Sequence, residues 1–209
     1  MSDDERPASG VPAGTGSPAA LPPRPVLTDG VVLLREPVAH DTEAMVAGAG
    51  QASVAATTRV PSPYTHDDAA DFLERTRVGW QESTAATFAL CRAGRPDLLL
   101  GMVGLHDVDL SGEPGGAAEM GYWLAEEARG RGLMTRGVRL LCAWAFDDLR
   151  LARIDWFAKV GNDASRRVAE AVGVEVEGIL RRGQVLRGQR VDHWVGGLLP
   201  ADLVREQQR

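Results

Sequence analysis

The chain has 209 residues, 44% hydrophobic and 25% charged, the balance of an ordinary soluble globular domain with some chain to spare. This excludes a fibre, a collagen and a wholly disordered polypeptide, and no stretch approaches the roughly 18 apolar residues of a spanning helix. The formal net charge of −6 argues against a general nucleic-acid binder.

Residues 1–25 hold Pro7, Pro12, Pro18, Pro22, Pro23 and Pro25 and no aromatic residue. Such a segment buries too little apolar area to offset its ordering entropy, so it is expected as a Pro/Gly-rich tail on a body spanning 26–209. Its acidic start lacks an apolar core, so no secretory signal is expected. The body opens with a β-rich run at 31–35 behind the Asp29-Gly30 turn. A short helix over 41–48 follows. Behind the loop 61–64, Thr65 caps a second helix with Asp67 and Asp68 in its first turn. Residues 85–92 and 98–108 read as strands joined through 94–97, and 119–124 as a third strand beyond the turn at 111–116.

From about Gly132, Met134, Val138, Leu141, Ala145 and Leu149 keep helical spacing, with Leu140 and Trp144 widening the stripe. A strand at 154–160, a helix from Asp163 to Val172 stopped by Gly173, and strands near 176–186 and 190–199 complete the order. This is an α/β (α+β) arrangement, not a regular βαβ repeat. Cys91 and Cys142 sit in apolar segments, are too few for a disulfide or zinc scaffold, and read as buried residues of a reducing cytoplasm. No metal site is expected.

Arginine dominates the cations: Lys159 is the sole lysine. Arg129, Arg131, Arg136 and Arg139 form one acid-free cluster, and Arg181, Arg182, Arg187 and Arg190 a second. The first is interleaved with glycine. A strand at 119–124 runs into Arg129-Gly130-Arg131-Gly132 and then into the long amphipathic helix. Glycines let backbone N–H groups crowd together and the helix N-terminus adds positive potential, so the turn suits a phosphate or pyrophosphate. It lacks the Lys-Ser/Thr pair of a Walker A loop and the third glycine of a dinucleotide fingerprint. On its own a Gly-Arg-Gly turn is weak evidence.

The segment from Glu119 to Thr135 resembles the acetyl-CoA-binding core of the GNAT-superfamily N-acetyltransferases, in the form of the RimJ/RimL-type protein N-terminal acetyltransferases. Glu127-Ala128-Arg129-Gly130-Arg131-Gly132 stands at that superfamily's Gln/Arg-x-x-Gly-x-Gly/Ala motif. A second block, Asn162-Asp163-Ala164-Ser165, then Gly173, then Glu177-Gly178, is similar to the family's Asn-x-x-Ser helix start, Gly-Phe turn and Glu-Gly strand start, with Val174 in place of the aromatic. Pro63-Tyr64-Thr65 and Gly188-Gln189-Arg190-Val191-Asp192 are further echoes, and the likeness runs from about Val26 to Leu199. The resemblance implies a mixed, mostly antiparallel sheet flanked by helices.

It also implies a cofactor geometry. Acetyl-CoA's pyrophosphate would sit on the N–H groups of Arg129, Gly130, Arg131, Gly132, Met134 and Thr135. Its pantetheine arm would lie along the strand ending at Trp123 and Leu124, where that strand parts from 154–160. A backbone N–H in 122–124 would polarise the thioester carbonyl. Asn162 and Ser165 would meet the far end of the arm, a role compatible with capping of the following helix.

Amine attack needs a proton acceptor. The resemblance points to Glu119 as base and to Ser165 as proton donor to the departing thiolate. Relatives of the N-terminal type place a glutamate where this chain has Gln184, which cannot act as a base. Tyr64, His106 and Gln184 are the expected acceptor contacts. An α-amine near pKa ~7.8 is partly neutral at cellular pH, whereas a lysine amine near ~10.4 costs about 3.5 kcal/mol more to deprotonate. A site short of one base therefore favours an α-amine. The reading is acetyl transfer from acetyl-CoA to an amine, with a protein N-terminus or a small molecule as acceptor, in the cytoplasm. Nucleic acid enters only through a ribosomal substrate, and a homodimer stays open. The alternatives are a non-catalytic acyl-CoA-binding regulatory protein on the same fold, or acetylation of a small amine or aminoglycoside.

Overall fold

Alternating buried and half-buried residues mark Val32–Arg35 (β2) and Arg153–Lys159 (β6), and Ala86–Arg92 (β3) is almost wholly buried. Such patterns belong to strands covered on one or both faces. The computed structural model describes residues 20–111 and 115–205. Within them, these strands join Leu27–Thr28 (β1), Arg95–Asp109 (β4), Ala117–Leu124 (β5), Glu175–Leu186 (β7) and Gln189–Leu198 (β8) in one eight-stranded sheet, ordered β1-β2-β3-β4-β5-β6-β8-β7. Every neighbouring pair is antiparallel except β5 with β6. That parallel ladder runs only from Ala117↔Arg153 to Met120↔Trp156.

Five helices accompany the sheet: Thr42–Ala49 (α1), Ala52–Ala55 (α2), His66–Gln81 (α3), Leu133–Asp147 (α4) and Asp163–Val172 (α5). The stripe Met134, Val138, Leu141, Ala145 of α4 packs with Leu34, Phe88, Val103, Leu105 and Met120 of the sheet and with Ala169 and Val172 of α5. A smaller cluster sets Met45 and Ala49 of α1, with Tyr64 and Ala69, against Ala89, Leu99 and Met102. Thr65 closes a capping box on α3, its Oγ1 accepting from Asp68 N at 3.2 Å while Thr65 N donates to Asp68 at 2.8 Å. Gly173 ends α5 at φ 107°. Both cysteines are buried and unpaired. Among the described residues no helix is long and apolar enough to cross a membrane.

Several boundaries differ from expectation. β4 starts at Arg95, because Arg92 pairs with Arg95 across a two-residue turn and the ladder absorbs register shifts around Cys91. The turn at 111–116 is described only at its ends. The short elements β1 and α2 carry too few residues for a periodic signal. His106 lies inside β4 opposite Glu119.

Residues 20–25, placed in the expected tail, pack against α3 and the turn that follows it. Pro22 O accepts from Trp80 Nε1 at 3.0 Å, and Leu21 N donates to Ser83 Oγ at 2.9 Å. The Arg24 guanidinium lies 4.3 Å from the Trp80 ring centroid and 3.1 Å from Glu36, with its side chain only 9% exposed. Prolines make this docking cheap in entropy, since their φ is already fixed in the unfolded chain. Residues 1–19 lie outside the described residues. Replacing Arg24 by Ala is expected to cost about 1–2 kcal/mol through the lost cation–π contact and the hydrogen bond its guanidinium donates to Thr76 O at 3.4 Å, read by denaturant unfolding. A loss below about 0.3 kcal/mol would show that this strap adds nothing.

Candidate active site

The short β5–β6 ladder creates the site. Beyond Met120 the two parallel strands separate, and residues 121–124 lose their ladder partner on β6. A groove of about 590 Å³ opens in the gap. Tyr122, Trp123 and Leu124 form one wall, Asn162, Ser165 and Val168 of the β6–α5 corner the other, and Arg129, Gly130, Gly132, Leu133, Met134 and Thr135 the end. Gly132 is the N-cap of α4 at φ 70°, a left-handed conformation that favours glycine. No side chain caps this helix and its first turn carries no acid, so its leading N–H groups are left for a ligand. A Cβ at Gly130 or Gly132 would meet no atom within 4 Å, so the turn faces open space. The donor set fits a pyrophosphate, and a groove of this volume fits an extended cofactor arm.

Arg129 lines this groove and also folds back, its Nε donating to Leu124 O at 2.9 Å. Arg131 was expected beside it. It is exposed and does not line the groove. Glu127, at the first position of the glycine motif, accepts from Gln51 Nε2 at 3.1 Å, and Glu126 N donates to Gln51 Oε1 at 2.8 Å. The motif is thereby tied to the α1–α2 corner.

A second cavity, of about 360 Å³, adjoins the groove. Glu119, Tyr64, His106 and Gln184 all line it, brought together from β5, the loop before α3, β4 and β7. The two cavities share Thr57, Thr58, Tyr122, Trp123, Asn162 and Ser165. Arg59 reaches Glu119 at 3.8 Å. Burial pushes the Glu119 carboxyl above the ordinary carboxylate range, Arg59 opposes the rise, and Asp107 and Asp155 add to it. Cross-strand from Glu119, the His106 ring lies over Gly121, where a Cβ would come within 3.1 Å of its Nε2. Burial, then Arg59, lowers the His106 pKa, so the imidazole is neutral at neutral pH.

At the junction, Trp156 Nε1 donates to Ser165 Oγ at 3.3 Å, Ser165 Oγ donates to Tyr122 Oη at 3.0 Å, and Tyr122 Oη donates to Ser165 O at 3.0 Å. Asn162 Oδ1 accepts from Ser165 N at 3.2 Å and so caps α5. Burial holds the Tyr122 phenol protonated, its pKa pushed up to about 12. The Tyr122 side chain, Arg59, Thr57 and Thr58 were not singled out from the sequence. Tyr122 entered only through its backbone, although strand alternation from the buried Met120 would have put its ring on the same edge as the groove. The loop 56–61 carries no motif. It is held in place by Arg187, which donates to Ala55 O at 3.1 Å and also to Val60 O, and by Lys159 Nζ, 3.4 Å from Ala56 O.

A family model described as an acetyltransferase (GNAT) domain matches residues 32–175. The chain is 40% identical over 94 residues to "Putative ribosomal N-acetyltransferase YdaF" of Bacillus subtilis (strain 168), covering 45% of this chain and 50% of that protein. It is 36% identical over 106 residues to "Probable N-acetyltransferase YjcK" of the same organism, covering 51% and 58%. These alignments span a little over half the length of the curated relatives they match. Among solved structures, a "Probable acetyltransferase" superposes with TM-score 0.73 at 27% identity over 85% of this chain and 98% of that one. Mycobacterium smegmatis RimJ in complex with CoA-disulfide superposes with TM-score 0.75 at 22% identity over 84% and 85%, a likeness of fold. The split between β5 and β6, the uncapped glycine turn and the matched family model converge: this chain belongs to the GNAT acetyltransferase family.

Proposed function

We propose that this protein transfers the acetyl group of acetyl-CoA to an amine, and that the amine is the α-amine of a peptide or protein N-terminus. The observation that carries the reading is the meeting of two cavities at Tyr122 and Ser165, one ending on the glycine turn and the other holding Glu119. Bound acetyl-CoA supplies an activated thioester carbonyl. The first-turn N–H groups of α4 hold its pyrophosphate, and the freed backbone of 122–124 aligns its arm and polarises the carbonyl. Glu119 accepts the proton of the attacking amine, directly or through water. Ser165, its Oγ held between Trp156 Nε1 and Tyr122 Oη, gives its hydroxyl proton to the departing thiolate and is reprotonated from solvent, to which Glu119 releases the proton taken from the amine. Transfer is direct, because neither cysteine lines either cavity.

An α-amine suits this site for two reasons. The position where close relatives place a second carboxylate holds Gln184, and the cavity contains a single carboxylate, Glu119. An amine that is already partly neutral at cellular pH needs less help than a lysine side chain. Names of similar proteins that refer to ribosomal N-acetylation point the same way.

The test is thiol release from acetyl-CoA against peptides of varied N-terminus, lysine-bearing peptides with blocked N-termini, polyamines, aminoglycosides and amino acids. Turnover confined to free α-amines is the expected result. Turnover of blocked lysine peptides at equal rate would overturn the choice of acceptor. Tight acetyl-CoA binding with silence across the panel would replace the transferase by an acyl-CoA-binding protein.

A further inference from the structure

The acceptor cavity is out of character with the rest of this acidic chain. Three cations line it, Arg59, Arg75 and Lys159, against one carboxylate, Glu119. Several arginines elsewhere are closely matched: Arg35 with Asp41 at 2.6 Å, Arg153 with Asp155 at 2.6 Å and Glu177 at 2.8 Å, Arg205 with Asp147 at 2.7 Å. In the cavity they are not. Arg59 stands 3.8 Å from Glu119 with its side chain 71% exposed, too far for a good hydrogen bond. Lys159 has only a long 3.4 Å contact to the Ala56 carbonyl. Arg75 enters from α3 one turn after Phe72; its charge is felt by Asp68 and Tyr64, but no side-chain hydrogen bond or close ion pair ties its guanidinium among the described residues.

Resting on the transferase reading above, we infer that the acceptor carries a carboxylate close to its reactive amine, and that Arg75 and Arg59 are the residues that read it. The charges are ordered for such a ligand. The amine would turn to Glu119, where its proton must go, and a carboxylate close to that amine would meet Arg59, 3.8 Å from Glu119, and Arg75 on the same cavity wall, whose planar forks match a carboxylate. The same charges work against the competing amines. A polyamine or an aminoglycoside brings several positive charges into a cavity that already holds three, and like-charge juxtaposition rejects it. Two kinds of molecule share the required chemistry: an N-terminus with Asp or Glu in its first positions, and a free amino acid.

The experiment uses the full chain and initial-rate thiol release at saturating acetyl-CoA. Peptides that differ only at positions two and three, with Asp-Asp, Gln-Gln or Lys-Lys after a common first residue, are compared with free aspartate and glutamate. The acidic peptide is expected to exceed the neutral one in kcat/KM about tenfold, mostly through KM, the scale of a charge-assisted hydrogen bond. This preference falls at least severalfold in Arg75→Gln, is partly restored in Arg75→Lys, and shrinks as salt is raised. Arg59→Gln gives a second reading, should α3 be disturbed by the first variant. Activity of the amino acids without the peptides, or the reverse, identifies the source of the carboxylate. Equal kcat/KM for the three peptides, or a preference unchanged in both variants, overturns the inference and leaves the transferase standing. If no acceptor turns over, the transferase reading has failed, and calorimetric binding of the acidic and basic peptides to the CoA-saturated protein decides the inference instead. Equal binding overturns it.

Discussion

Glu119→Gln is expected to lower kcat/KM by about a hundredfold or more while the affinity for acetyl-CoA stays within about twofold, since removal of a positioned base costs on the order of 10²–10⁴ in rate. The side chain faces the acceptor cavity and not the cofactor groove, and it is 23% exposed. Substitution by the isosteric amide keeps the packing and removes only the proton acceptor. The pH dependence sharpens the test. Burial raises the carboxyl and Arg59 restrains it, so the rate, divided by the fraction of free amine, falls as pH drops through a value above the ordinary carboxylate range. That limb vanishes in Glu119→Gln. It moves to higher pH in Arg59→Gln, because the cation that favours the charged form is gone. A variant that keeps a third of its activity with an unchanged profile would remove Glu119 from the mechanism and leave His106, neutral and cross-strand from it, as the base.

The largest effect on stability is expected from Phe88→Ala. Phe88 is fully buried at the centre of β3, edge-on to Trp80 of α3 at 5.5 Å and to Trp144 of α4 at 5.6 Å, and those two indoles stack at 5.8 Å. Truncation leaves a cavity that helices on different elements cannot close together, with a cost of about 3–5 kcal/mol. For a chain of this size the melting temperature falls by roughly 10 °C. Arg24 rests on the other side of Trp80, so the double variant with Arg24→Ala is expected to lose less than the sum of the single losses. A drop below about 1 kcal/mol in Phe88→Ala, measured by calorimetry, would mean that the trio does not hold α3 and α4 to the sheet.

Local chemistry made much of the frame legible in the sequence. The 3.6-residue stripe of α4, the Thr65 cap of α3, the Asn162 cap and Gly173 stop of α5 depend on neighbours along the chain. The glycine turn is legible for the same reason. What escaped depends on contacts between distant segments. The docking of residues 20–25 needs Trp80, and the loop 56–61 needs Arg187 and Lys159. Arg59 and Tyr122 belong to this group. One comes from a loop without periodicity, and the other from a strand whose partner leaves it halfway.

The sheet ends on β7, and that edge exposes Ile179 by 54%, Leu180 by 44% and Val185 by 51%. A long flat edge of branched apolar residues is a template onto which another chain can add a strand. Here the edge is broken. Register shifts fall between Val176 and Gly178 and between Leu180 and Gln184, and Arg182 takes a left-handed φ of 53° inside the second break. The extra residues twist the strand away from flatness, and Arg181 and Arg182 place two like charges at the point where a second copy would have to align. Strand addition is therefore disfavoured at this edge: the break in register and the like charges of Arg181 and Arg182 raise the cost of laying a second copy along β7.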